Sequence, residues 1–153
     1  MLENGKIMQK FTLPRDGNST CSLDDFQGRN LVIFFYPKDD TSGCTKEAIG
    51  FSQSLPDFNK ANTAVIGISK DTVAKHDKFI AKHDLKIPLL SDITGQMCED
   101  CGVWKEKSMY GRTYMGIERT TFLIDKNGAI QQIWRKVRVN GHVEAVLEAA
   151  QSL

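Results

Sequence analysis

Apolar positions along the chain follow two rhythms, and the switches between them outline its elements. Leu31 to Tyr36 (LVIFFY) is apolar throughout and stops at Pro37, the pattern of a central strand buried on both faces. Thr63 to Ser69 (TAVIGIS) is β-branched and apolar and reads as a second such strand. Between them Ala48, Ile49, Phe51 and Leu55 fall near helical spacing, predicting an amphipathic helix from about Cys44 to Phe58. Past the second strand, Asp71 offers an N-cap for a helix that carries Val73, Ala74, Phe79 and Ile80 and ends before Pro88.

The flanks are richer in strands. Phe11 to Leu13 and Thr20 to Leu23 surround a Pro-Arg-Asp-Gly-Asn cluster and predict an N-terminal β-hairpin. Thr120 to Ile124 and Ala129 to Trp134 form a second hairpin, because the intervening Asn127-Gly128 readily takes the positive φ angles of a tight turn. Leu89-Leu90 is a short strand, Asp92 to Cys101 a short helix, and Gly141 to Leu153 a closing helix. Gly102 to Gly116 is polar and predicted irregular, anchored by Trp104 and Tyr110. With no repeat or linker, residues 1–153 are expected to form a single α/β domain whose mixed sheet is flanked by helices.

Composition excludes more than it selects. Hydrophobic residues at 41% and charged residues at 25% are ordinary for a globular chain, which argues against disorder and against a membrane span. Twenty basic against nineteen acidic side chains leave a charge of +1 with no basic block, so neither nucleic acid nor membrane is an expected partner. The opening MLENGKIMQKFTLP has no apolar run of signal-peptide length, making cytoplasmic the default address. The four cysteines form no small disulfide framework and are read singly, as in a reducing compartment.

The stretch Pro37-Lys38-Asp39-Asp40-Thr41-Ser42-Gly43-Cys44 puts a thiol in the first turn of a helix directly after a buried strand. Unpaired backbone N–H groups and the helix dipole favour thiolate there. The dipole supplies only about 0.3–1 kcal/mol, so a reactive Cys44 needs a cation from elsewhere in the chain. Thr41, three residues earlier, can bring its hydroxyl to the sulfur, and Gly43 opens the backbone so that a small substrate meets main-chain N–H groups. Pro37 fixes the strand exit and adds an apolar wall. The competing reading is a buried structural cysteine, which the polar, glycine-containing surroundings disfavour.

Pro37-x-x-x-Thr41-x-x-Cys44 resembles the peroxiredoxin motif, and FFYPKDDTSGCTKEA is similar to the bacterioferritin comigratory protein or peroxiredoxin Q subfamily. The similarity continues through Ile87 to Asp92, Gly102-Val103-Trp104 and Arg119 to Asp125, nearly the whole chain. It implies a thioredoxin-like fold and a thiol peroxidase that reduces hydrogen peroxide and organic hydroperoxides with no cofactor and no metal. Carried over, it makes Cys44 the peroxidatic cysteine, Thr41 and Arg119 its activating partners and Pro37 the shield of the pocket. Glu47 matches an acidic residue that orients the arginine, though an exposed helix carboxylate is an equally simple reading. The sulfenic acid left on Cys44 would then be reduced by an external thiol such as thioredoxin, glutaredoxin or glutathione, and the subfamily implies a monomer.

Three departures matter. Ser42 stands where proline is usual, and Ile49 and Ile80 occupy the two positions where the subfamily often carries a resolving cysteine. The resolving thiol is therefore open, with Cys98 or Cys101 as alternatives. These two also form a C-x-x-C, which raises the alternative of a thioredoxin-like disulfide exchanger, against inward packing as plain core residues. Cys21 is read as half-buried filler. His76 and His83 are expected to be solvated, His142 to start the last helix, and none of the three sits at zinc-ligand spacing.

Overall fold

The computed structural model describes residues 2–153. Seven strands form one mixed sheet in the order β2-β1-β5-β4-β3-β8-β9. These are β1 (Thr12–Arg15), β2 (Ser19–Ser22), β3 (Asn30–Phe35), β4 (Thr63–Ser69), β5 (Leu89–Ser91), β8 (Thr120–Ile124) and β9 (Ile130–Trp134). β3, β4 and β5 run parallel, while β8 joins β3, and β1 joins β5, antiparallel. The helices are α1 (Ser42–Gln53), α2 (Leu55–Lys60), α3 (Val73–His83), α4 (Gln96–Asp100) and α5 (His142–Gln151). This is the expected thioredoxin-like arrangement, with the N-terminal hairpin paired on through Arg15 and Leu90.

Alternation along the central strand divides the interior into two cores. Leu31, Ile33 and Phe35 of β3 face a core closed by Met8, Phe11, Cys21, Met97, Cys98, Cys101 and Phe122. Val32, Phe34 and Tyr36 face the opposite core, built with Cys44, Ala48 and Phe51 of α1, Phe58, Phe79 and Val146. Every residue of β3 and β4 is buried, as the uninterrupted apolar runs predict.

Four expectations are corrected. The helix predicted from Cys44 to Phe58 is two helices broken at Ser54, because Pro56 lacks an N–H and its ring obstructs the preceding turn. Thr72, rather than Asp71, caps α3, its hydroxyl accepting from the Lys75 N–H at 3.2 Å. The stretch predicted irregular is a separate two-stranded sheet of β6 (Trp104–Met109) and β7 (Arg112–Ile117). Its turn is Tyr110-Gly111, both at positive φ, so Tyr110 is 98% exposed and anchors nothing. Trp104 is half-buried beneath the Lys70 ammonium, 4.3 Å from its ring centre. No helix among the described residues is long and apolar enough to cross a membrane.

Candidate active site

The chain leaves β3 at Tyr36, whose N–H still bonds the Ile68 carbonyl at 3.1 Å, and turns at half-buried Pro37 into a loop leading to α1. That loop is tied to α3 at two points. Asp40, at φ 60°, receives Lys82 at 2.7 Å and His83 at 2.9 Å. Asp39 accepts from the Tyr36 hydroxyl at 2.6 Å and pairs with His76 Nδ1 at 2.6 Å, while its own N–H donates to Asp71 at 2.8 Å. His76 is fully buried, with Nε2 3.0 Å from the Leu90 carbonyl, which corrects its expected solvation. A ring bonded on both nitrogens inside the fold is what draws it in from its lysine-rich helix.

α1 begins just after Thr41, and its first rung is Thr45 N–H to the Thr41 carbonyl at 2.8 Å. The N–H groups of Ser42, Gly43 and Cys44 therefore have no acceptor one turn back and remain available to an anion or a peroxide oxygen. Cys44 sits among them at 1% exposure. Arg119, in the connection between β7 and β8, reaches across this turn: Nη2 donates to Cys44 Sγ at 3.3 Å and Nη1 to Glu47 Oε1 at 2.7 Å. The cation that the helix-dipole argument required is thus in contact with the sulfur. Burial works against the charged guanidinium, but Glu47 and Cys44 outweigh it and hold Arg119 more firmly protonated.

Glu47 is fully buried rather than an exposed helix carboxylate. Burial pushes its carboxyl up to about 7, against the lowering pull of Arg119. Gly43, whose N–H is among those left free, has a second consequence for the site. A Cβ there would lie 3.2 Å from Arg119 Nη2, so the absent side chain is what lets the guanidinium lie over the helix start. Thr41 departs from expectation: its hydroxyl donates to the Lys38 carbonyl at 2.8 Å, closing the loop, instead of meeting the sulfur. Its oxygen keeps lone pairs that can accept from a peroxide O–H, whereas donating to a peroxide oxygen requires exchange of that local bond.

Two buried neighbours of Glu47 have no signature in the sequence. Thr121 and His142 stand behind Glu47, with Thr121 Oγ1 2.8 Å from His142 Nε2 and that nitrogen 3.9 Å from Glu47 Oε2. His142 does begin α5, as expected, but is buried; burial, and then Arg119, lower it to about 4. A histidine and a threonine 21 residues apart share no sequence pattern that would join them.

The remaining cysteines are free and buried. Cys21, Cys98 and Cys101 belong to the core on the far side of β3 from Cys44. Burial pushes Cys21 up to about 11, Cys101 to about 12 and Cys98 higher still, with Asp92 adding to the last. Such thiols stay protonated near neutrality and are poor nucleophiles, which favours packing over disulfide exchange. Among the described residues, Asp39, Asp71 and His76 place ligand atoms within 4.8 Å of one another. Those atoms are already engaged with Tyr36, Ser69, the Asp39 N–H and the Leu90 carbonyl, so the cluster reads as a loop clamp.

Comparison with known proteins accords with this geometry. The AhpC/TSA family pattern matches residues 4–133. The chain belongs to the AhpC/TSA family. A peroxiredoxin Bcp of Xanthomonas campestris is 47% identical over 141 residues, covering 91% of this chain and 88% of its own. A crystal structure of a cysteine-to-serine mutant of Xylella fastidiosa PrxQ superposes with a TM-score of 0.95 at 38% identity, over 99% of this chain and 97% of that one. A Xanthomonas campestris bacterioferritin comigratory protein, described for its alkyl peroxide reduction activity, superposes with a TM-score of 0.88 at 44% identity, over 93% and 90%. This peroxiredoxin is of the Bcp or Q type, and its reaction class is thiol-dependent peroxide reduction.

Proposed function

We propose that Cys44 is the peroxidatic nucleophile, that Arg119 activates it, and that Glu47 fixes Arg119 in place. The observation that carries this reading is the guanidinium shared between the Cys44 sulfur and the buried Glu47 carboxyl. The thiolate attacks one peroxide oxygen in line with the O–O bond: an S–O bond forms, the O–O bond breaks, and the departing oxygen leaves with the electron pair. It takes a proton from water and departs as water or an alcohol, leaving a sulfenic acid. Arg119 and the free N–H groups of the α1 turn are aimed where that charge develops. Pro37 bounds the pocket, and the Thr41 oxygen, still donating to the Lys38 carbonyl, accepts from the peroxide O–H.

An external thiol then attacks the sulfenic sulfur, releasing water and forming a mixed disulfide, and a second thiol frees the Cys44 thiolate. The opposite placement of Cys44 and the other three cysteines supports this one-cysteine cycle. Hydrogen peroxide and alkyl hydroperoxides are the proposed substrates, with thioredoxin, glutaredoxin or glutathione as reductant. Four unpaired thiols suit a reducing cytoplasm. The working unit in this reading is a monomer.

The test is peroxide consumption by Cys44→Ser with dithiothreitol as reductant. Turnover should fall to background while the circular dichroism spectrum is unchanged; retention of most activity would refute the assignment.

A further inference from the structure

Glu47 presents an unusual feature for a fully buried carboxyl: Oε1 is bonded to Arg119, and Oε2 has no hydrogen-bond partner. An unpaired carboxylate oxygen away from water costs free energy comparable to a lost charged hydrogen bond. His142 Nε2 lies 3.9 Å from that oxygen, one small ring displacement beyond hydrogen-bond range. That nitrogen is occupied at 2.8 Å by the Thr121 hydroxyl, which can donate or accept and so can yield without being stranded.

The ring is held at this spot from three sides. Phe51 and Trp134 meet it edge-on at 6.1 and 5.8 Å, and α5 approaches α1 so closely that a Cβ on Gly50 would lie 2.9 Å from Val143 Cγ2. Other groups set the field around the pair. Arg119 and Cys44 lie on the front side of Glu47, Lys107 of β6 and Glu118 stand beyond them, and Glu144 follows His142 on α5. His142 Nε2, 3.9 Å away on the α5 side, is placed to offer a donor to Oε2.

We propose that His142 is a positioning residue for the peroxidatic centre: its Nε2–H caps Glu47 Oε2 when Glu47 ionises, allowing the carboxylate to grip Arg119 over Cys44. This rests on the reading of Cys44 and Arg119 given above. With His142 neutral and Glu47 pushed up to about 7 by burial, the carboxyl changes charge within the working pH range, and the availability of a donor behind it decides where. Thr121 competes for the same N–H, so it opposes His142 in this task.

The test is infrared titration of the Glu47 carboxyl in the reduced protein, its protonated carbonyl band assigned by loss in Glu47→Gln. His142→Phe removes the donor and should move the midpoint upward by about one pH unit or more. His142→Gln, which keeps an N–H, should restore it. Thr121→Val frees Nε2–H for Glu47 and should move the midpoint the other way, which keeps the proposal testable if His142→Phe does not fold. In His142→Phe the rate of Cys44 oxidation should fall several-fold near neutrality and recover at alkaline pH. Midpoints unchanged in both His142→Phe and Thr121→Val would overturn the proposal. The titration needs no turnover, so it fails independently of the peroxidase assignment, which the Cys44→Ser assay decides.

Discussion

Cys44 and Cys98 belong to the cores on opposite faces of β3, one shared with Phe34 and Tyr36, the other with Ile33 and Phe35. A disulfide needs Cα atoms within about 7 Å and Cβ vectors that converge, and a fully hydrogen-bonded central strand stands between these two. Cys98 is further fixed by its N–H, which donates to Asp92 Oδ2 at 2.8 Å.

One equivalent of peroxide should therefore leave no intramolecular disulfide from Cys44 to Cys21, Cys98 or Cys101. Peptide mapping by mass spectrometry reads this directly. A quantitative link from Cys44 to Cys98 or Cys101, with lost turnover in the matching serine variant, would replace the one-cysteine cycle by one that opens the sheet.

Glu47 makes stability and activity oppose each other. Its carboxyl is held near 7 in the fold against 4.5 when solvated, so the folded state holds the proton more tightly. Stability is lost as pH rises from about 4.5 through 7, by about 3 kcal/mol at most. Glu47→Gln should thus be more stable than the parent in urea denaturation near pH 8 and show little gain near pH 4.5, while Cys44 oxidation slows because a neutral amide holds the guanidinium less strongly. Equal gains at both pH values would show that Glu47 does not carry a buried charge.

Gly43→Ala separates the placement of Arg119 from the stability of α1. The new methyl would stand 3.2 Å from Nη2 and 3.9 Å from Cζ, displacing the guanidinium by a few tenths of an ångström. Alanine is the better helix former by up to about 1 kcal/mol, so the melting temperature should hold or rise. The rate of Cys44 oxidation should fall about tenfold, since small misplacements at a reacting centre are costly. An unchanged rate in stopped-flow measurements would mean that the arginine contact is incidental.

The sequence carried the fold wherever periodicity was long or a turn had its usual residues. LVIFFY, TAVIGIS and the Asn127-Gly128 hairpin appear where expected. It misled where local chemistry was atypical: a positive-φ tyrosine before Gly111 hid the β6–β7 hairpin, and Pro56 split a helix whose apolar spacing runs on. At the site, Cys44, Arg119 and Glu47 were legible because they lie on recognisable motifs, and the structure brings them into contact. His76, Thr121 and His142 were not. Each is held by burial and a partner far away in the chain, and a histidine among lysines looks the same in sequence whether it faces water or Asp39.

Activation of Cys44 by Arg119 for attack on peroxide can be read from sulfenic acid formation itself. Its most direct measurement is the rate at which a cyclic-dione trap labels sulfenic acid during reaction with hydrogen peroxide, with the labelled residue located by mass spectrometry. Label is expected on Cys44 alone, with a rate lower by about 100-fold or more in Arg119→Met, which keeps the aliphatic bulk but removes the donors. Label on Cys21, Cys98 or Cys101, or an unchanged rate in Arg119→Met, would contradict it.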